Sequence, residues 1–213
     1  MKLAYAPLPA VLALALCACA SETNPPDIAS RVAPDWRSII TDDDRARLRE
    51  WRAAWTRALA KAQAAGHGAT IEREGVLLQP DAALGWADPP PGHYRCRTIK
   101  LGSRSSGMLA YVAYPPFDCR IRPEDGLTSF AKLGGSQRQI GLIFPDAGNR
   151  RIFLGTLQLG DETEAQQYGR DRERDLVALL ERIGERRWRL VFPSPHFESD
   201  VDIVELVPRD PGE

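Results

Sequence analysis

Apolar positions recur at helical spacing from Thr41 to Ala65 and then, from His93 onward, at a period of two. In the first stretch Leu48, Trp51, Trp55, Ala58, Leu59 and Ala62 fall on one face of a helix. Thr41 is placed to cap that helix, and Asp42, Asp43 and Asp44 occupy the first turn, where the helix dipole favours negative charge. Gly66 ends it, and Gly66-His67-Gly68 reads as a turn. Leu77 to Leu84 reads as a short helical turn opened by Pro80. The run Asp88-Pro89-Pro90-Pro91-Gly92 stops any helix before the first long strand.

Alternation then takes over. Tyr94, Cys96 and Thr98 share one face of the first strand, and Phe117, Cys119 and Ile121 share one face of a partner strand. The second set is apolar, so the cysteine faces point inward and Arg95, Arg97, Arg120 and Arg122 point outward. Further strands are expected over Met108–Tyr114, Leu127–Leu133, Arg187–Phe192 and Val201–Val207. Gln137–Phe144 and Arg151–Leu159 form a hairpin around Pro145-Asp146-Ala147-Gly148-Asn149. Gly160 to Gly169 is a polar loop. Arg172 to Ile183 places Leu176, Leu179, Leu180 and Ile183 at helical spacing before Gly184, which predicts a second helix. Consecutive strands with short connections pair antiparallel, and closing the sheet removes its edges. The expected fold is α+β: an antiparallel, barrel-like β-sheet of about eight strands, an N-terminal helix, and a second helix inserted before the last two strands.

The N-terminal stretch changes the picture of where the protein works. Lys2, the apolar run Leu12 to Leu16 and the small residues Cys17-Ala18-Cys19-Ala20 have the order of a signal peptide, over residues 1–18. The apolar run is too short to span a bilayer, which takes about 20 residues. Leu16-Cys17-Ala18-Cys19 resembles a lipobox, which makes Cys19 the lipidated first residue. Ala18-Cys19-Ala20 also fits ordinary cleavage before Ser21, which would leave a soluble periplasmic protein. Residues 19–40, with Pro25, Pro26 and Pro34, then form the anchor and a flexible tether, and 41–208 a single globular domain, with its helix at 41–65 and its sheet at 93–208. An exported protein folds under oxidising conditions, so Cys96 and Cys119 are expected to form a disulfide.

Composition sets further bounds. Hydrophobic residues make up 43% and charged residues 27% of the 213, a globular mixture. The net charge of -1 gives no electrostatic case for nucleic acid. There is no GxSxG elbow, Walker loop, GxGxxG, HExxH or EF-hand loop, and the cysteines lack zinc-site spacing. No catalytic residue, cofactor or metal site is therefore assigned. His196 lies in the polar run Ser194-Pro195-His196-Phe197-Glu198-Ser199-Asp200, whose residue types match acid–base chemistry but also an ordinary loop. Asp161-Glu162-Thr163-Glu164 reads as a solvated loop. Arg95, Arg97, Arg120 and Arg122, with Arg138 nearby, form the candidate ligand face. Guanidinium groups suit carboxylates and phosphates, although Asp118, Glu124 and Asp125 can balance an exposed face of this kind.

Several segments between Asp44 and Pro208 carry a resemblance. They are Tyr94-Arg95-Cys96-Arg97-Thr98-Ile99-Lys100-Leu101-Gly102, Cys119-Arg120-Ile121, Gly135-Ser136-Gln137-Arg138, Phe153-Leu154-Gly155-Thr156-Leu157, and Glu181-Arg182-Ile183-Gly184 running on to Trp188-Arg189-Leu190. In these the chain resembles a family of Gram-negative envelope proteins and lipoproteins with a domain of unknown function. The resemblance implies an envelope location and no activity. In general pattern the strand region also looks like the small calycin barrels of envelope lipoproteins that inhibit proteases or lysozymes. The expected role is a non-enzymatic envelope lipoprotein that binds a protein or an anionic glycan or lipid headgroup, touching the membrane only through its anchor. Two alternatives are a hydrolase of an envelope polymer using His196, and a carrier of an apolar ligand in a barrel cavity of several hundred Å3.

Overall fold

The computed structural model of the chain describes residues 34–210, besides Met1. The leader, Cys19 and most of the tether lie outside the described residues. Nine antiparallel strands follow a helical N-terminal segment: β1 (Gly92–Leu101), β2 (Tyr111–Ala113), β3 (Phe117–Glu124), β4 (Leu127–Lys132), β5 (Gln137–Pro145), β6 (Arg150–Leu159), β7 (Asp175–Gly184), β8 (Arg187–Pro193) and β9 (Val201–Pro208). Strand order runs β2-β1-β3-β4-β5-β6-β7-β8-β9, and β1 also pairs with β9. The fold is thus α+β, with eight strands closed into an antiparallel barrel and β2 added at its rim. β1 makes closure possible by its length. Its first half pairs with β3 (Tyr94 opposite Cys119), its end pairs with β2 (Ile99 opposite Ala113), and its other edge runs along β9 from Tyr94 to Leu101.

The cysteine faces do point inward. Cys96 and Cys119 are buried and form a disulfide, with Cα atoms 5.9 Å apart. The register places Cys96 opposite Phe117 and Cys119 opposite Tyr94, so the bridge runs diagonally between adjacent strands. The separation of 23 residues makes the crosslink worth about 3 kcal/mol in the chain-entropy account.

Alternation divides the apolar residues into two cores. Tyr94, Ile121, Phe130, Phe153, Leu180, Trp188, Leu190, Phe192 and Leu206 fill the barrel interior. Ile99, Leu101, Val177, Leu179, Val191 and Ile203 face outward and pack under the helices. Gly141 and Gly155 face each other across β5 and β6. A Cβ on either would strike the partner strand's backbone, and one on Gly155 would also meet the Phe153 ring, so this close approach requires glycine.

The second helix expected over Arg172 to Ile183 is instead the strand β7. Leu176, Ala178 and Leu180 enter the interior, while Val177, Leu179 and Ile183 meet the helices. A strand buried on both faces loses its period of two, and an unbroken apolar run satisfies a helical template equally well. The strong helix formers Leu, Ala and Glu in this run are overridden by pairing with β6 and β8.

The N-terminal helix is longer and more broken than expected. It comprises α1 (Trp36–Ile39), α2 (Asp42–Arg49), α3 (Trp51–Ala62) and, past a kink where Gly66 has φ 90°, α4 (Gly68–Glu74). A short 3-10 turn, Gly75–Leu78, follows. Thr41 caps α2 by accepting the Asp44 N–H, as its position predicts. Trp36 packs against the outer core and Ile40 is buried in it, so the end of the expected tether belongs to the folded domain.

One charged network fastens the helices to the barrel. Glu181 of β7 and Arg189 of β8 are both 0% exposed and paired at 2.7 Å. Arg189 also donates to the carbonyl oxygens of Val76 and Leu77 at 2.8 and 2.9 Å, and its guanidinium lies over the Trp55 ring at 4.6 Å. Arg150 donates to the other Glu181 oxygen at 2.6 Å and lies over Trp51. Removing Glu181 leaves the buried Arg189 charge without its carboxylate, so Glu181→Gln should lower stability by about 3–5 kcal/mol in urea denaturation, whereas after Arg189→Met the Glu181 carboxylate keeps Arg150 and the loss should be smaller. Arg172→Ala, which breaks the exposed pair with Asp43, should leave the midpoint almost unchanged.

Candidate functional site

The sequence pointed to an outer arginine face, and the structure keeps three of its arginines together while Arg97 and Arg138 are engaged elsewhere. Arg95, Arg120 and Arg122 do lie outward on β1 and β3. Arg97 is enclosed by the Glu74 carboxylate of α4, with Nη1 to Oε1 at 2.9 Å, and by Glu205 of β9 at 3.0 Å. Hydrogen bonds to Glu74, and then to Glu205, outweigh burial and hold its pKa above the ordinary arginine value. Arg138 stands on β5, beyond β4, and donates to the carbonyl oxygens of Leu159 at 2.9 Å and Glu162 at 2.8 Å. It fastens a loop and does not join the others.

Polar side chains converge elsewhere, inside one mouth of the barrel. The same end of the barrel receives the last inward positions of β1 (Thr98 and Lys100), the end of β4 (Lys132), the start of β5 (Gln137 and Gln139) and the start of β9 (Asp202). Phe117, Ser136 and Glu198 complete a pocket of about 100 Å3. Gly135, at φ 85°, leaves the space that Lys132 Nζ and Phe117 occupy, since a Cβ there would lie 3.3 Å from Nζ and 3.1 Å from the ring.

The two lysines have opposite surroundings. Lys100 Nζ is 2.9 Å from Glu198 Oε2, 3.3 Å from Asp202 Oδ2 and 3.2 Å from Gln137 Oε1, which satisfies all three of its donors. Burial works against its charge, but Asp202 and Glu198 prevail and raise its pKa. Asp202, itself held by the Ser199 hydroxyl, is raised by burial against the pull of Lys100. Lys132 is 6% exposed and, among the described residues, has no carboxylate within salt-bridge distance. Its Nζ donates to the Gln137 carbonyl oxygen at 2.9 Å and sits 4.1 Å from the centre of the Phe117 ring. Burial first, then the neighbouring Lys100, pushes it down to about 8. Thr98 Oγ1 and Gln139 Oε1, on residues 4% and 5% exposed, have no hydrogen-bond partner.

His196 lies at the outer side of this mouth. Its Nε2 is buried without a hydrogen-bond partner, and burial and then Arg47 lower its pKa. The nearby Ser199 hydroxyl donates to Asp202, so no serine–histidine pair forms. Glu162 of the acidic loop pairs with Arg174. Among the described residues no group of three or more His, Cys, Asp or Glu side chains is placed to hold a metal ion.

Residues 36–206 match the family described as Domain of unknown function (DUF4893). The chain belongs to that family. No curated protein and no solved structure matches it. In this DUF4893 domain, Thr98 and Lys100 on β1 and the Gly135-Ser136-Gln137 corner supply much of the mouth.

The sequence reading passed over Lys100 and Lys132. A signal for them was present in the basic residues: of 28, only four are lysines (Lys2, Lys61, Lys100 and Lys132). Where nearly every surface cation is arginine, a lysine at an inward strand position marks a site that wants a compact amine. The buried amine also costs stability. Its folded-state pKa is depressed, so this cost is fully present below about pH 8 and is relieved as pH rises towards the unfolded value. Lys132→Met should therefore raise stability at pH 7 by about 1–2 kcal/mol, allowing for partial screening, and by less at pH 10; thermal melts at both pH values measure this.

Proposed function

We propose that the domain is a non-enzymatic binding module of the Gram-negative cell envelope, exported and held by lipidated Cys19 or released by cleavage before Ser21. Its binding site is the barrel mouth, where it takes a small carboxylate carried by an envelope component. The observation that carries this reading is the buried Lys132 amine without a carboxylate partner, beside the unpartnered Thr98 hydroxyl. A planar carboxylate offers acceptor oxygens to the Lys132 amine and the Thr98 hydroxyl, and the pocket of about 100 Å3 admits the group but not a large ligand. The arginines of the outer face are no longer needed for this reading. The leader pattern and the disulfide both support an oxidising, extracytoplasmic address. A closed eight-stranded barrel serves many roles, so the role of this chain is read from its own site.

The other roles have less support. An apolar carrier needs an open interior, whereas Phe130, Phe153, Trp188 and Phe192 fill this one. A hydrolase working through His196 would need a hydrogen-bonded partner to orient the imidazole. A groove of about 450 Å3 on the outer face of β4, β5 and β6 is lined by Leu127, Ile140, Leu142 and Tyr168. It is larger than the mouth, but it has no basic side chain to fix an anion.

Titrating the purified chain with acetate and with glucuronate, while following backbone amide shifts, tests the proposal. Shifts should concentrate at Thr98, Lys132, Gln137 and Gln139. Lys132→Gln should weaken binding at least tenfold, whereas Arg95→Ala and Arg122→Ala should leave it unchanged. Shifts confined to the arginine face, or equal binding by Lys132→Gln, would show the mouth to be the wrong site.

A further inference from the structure

We infer that Lys132 is a covalent capture site, whose Nζ condenses with the carbonyl carbon of a small oxo acid held in the barrel mouth to form an imine. This rests on the reading of the mouth as a carboxylate site and extends it to ligands that carry a carbonyl group beside the carboxylate.

An amine attacks a carbonyl only when it is neutral, so such a site must remove a lysine's proton near neutral pH while leaving the amine reachable. The barrel mouth separates its two lysines in this way. Lys100 spends its three donors on Glu198, Asp202 and Gln137 and stays charged. Lys132 has a single hydrogen-bonded acceptor, the Gln137 carbonyl oxygen, and an aromatic ring beneath it, and it lines the open pocket. The charged groups acting on it come from every side: Lys100 of β1 and Arg138 of β5 disfavour its proton, and Asp202 of β9 favours it. Glu198 stands at the rim and is committed to Lys100. With burial added, the balance places the amine near pH 8, where its neutral fraction is about a hundredfold that of an ordinary lysine. Desolvation beside another cation is a recognised way of activating an amine of this type.

The step balances without a cofactor. The Nζ lone pair forms the C–N bond, and the carbonyl oxygen takes a proton from solvent. Loss of a proton from nitrogen gives the carbinolamine. Protonation of its hydroxyl and loss of water then leave the protonated imine. That nitrogen keeps a positive charge beside the ligand's own carboxylate, which the Thr98 hydroxyl can also meet as a donor. Glyoxylate and pyruvate are compact enough for a pocket of about 100 Å3.

The test uses the full purified chain, glyoxylate and cyanoborohydride, with peptide mapping of the reduced adduct across pH 6.5–9.5. The reduced adduct should form at Lys132 at least tenfold faster than at exposed Lys61 or at Lys100, with a rate that rises to a plateau through about pH 8. Lys61 is the internal control, so the wild-type chain suffices even if a variant folds poorly. Lys132→Arg should lose the adduct. Equal labelling of Lys61 and Lys132, or preferred labelling of Lys100, would overturn the inference. Acetate binding at the mouth with no adduct at Lys132 would overturn the imine alone. Absence of both binding and adduct would remove the carboxylate reading as well.

Discussion

The Glu181–Arg189 pair joins two structures that neither helix nor sheet could complete alone. A closed barrel satisfies its own backbone, but here the outward faces of β1 and of β6 to β9 are apolar and need a cover. The helical segment supplies that cover through Trp55, Ala58 and Ala62, yet apolar contact does not fix its position along the barrel. Arg189 does, because its guanidinium must meet Glu181, the Val76 and Leu77 carbonyl oxygens and the Trp55 ring together. A displaced helix would leave a buried charge unpaired, which is a steep penalty in a low-dielectric interior. Arg97 and Glu74 repeat the arrangement at the end of α4.

The barrel interior changes character along its axis. From Tyr94 and Trp188 through Phe153 and Phe192 it is packed and apolar, and at the opposite mouth it becomes amine, amide and carboxylate. Above this packing, Thr98 Oγ1 and Gln139 Oε1 stay buried and unpaired. The same packing shields the amines from water, so Lys100 and Lys132 respond strongly to their neighbours. One retains its proton because two carboxylates hold it, and the other binds its proton weakly because burial and the neighbouring Lys100 outweigh the pull of Asp202. A guanidinium could not be divided in this way, since arginine stays charged under any such conditions.

Much of the sheet was legible in the chain because residue types alternate along most strands and turn residues mark their ends. β1, β3, the β5–β6 hairpin, β8 and β9 follow this pattern within a residue or two, as does the inward placement of both cysteines. β7 was not legible, because both of its faces are covered and its apolar run carries no period. The surroundings of the arginine face were hidden for a related reason. Alternation puts Arg97 outward correctly, but it does not reveal that α4 folds over that part of the barrel and brings Glu74 against it.

By itself, the sequence determined the α+β class, the antiparallel barrel-like sheet and the cysteine pairing, because these depend on local periodicity, turn chemistry and which face is apolar. It also carried the family segments, including the two that form the mouth. Only the tertiary structure decided that Thr98, Lys100, Lys132, Gln139 and Asp202 share one end of one barrel. They come from four strands, spread over more than a hundred positions, and barrel closure through the β1–β9 register brings them together. The difference between the two lysines is likewise tertiary, since it lies in which acceptors reach each amine, and no spacing along the chain encodes that.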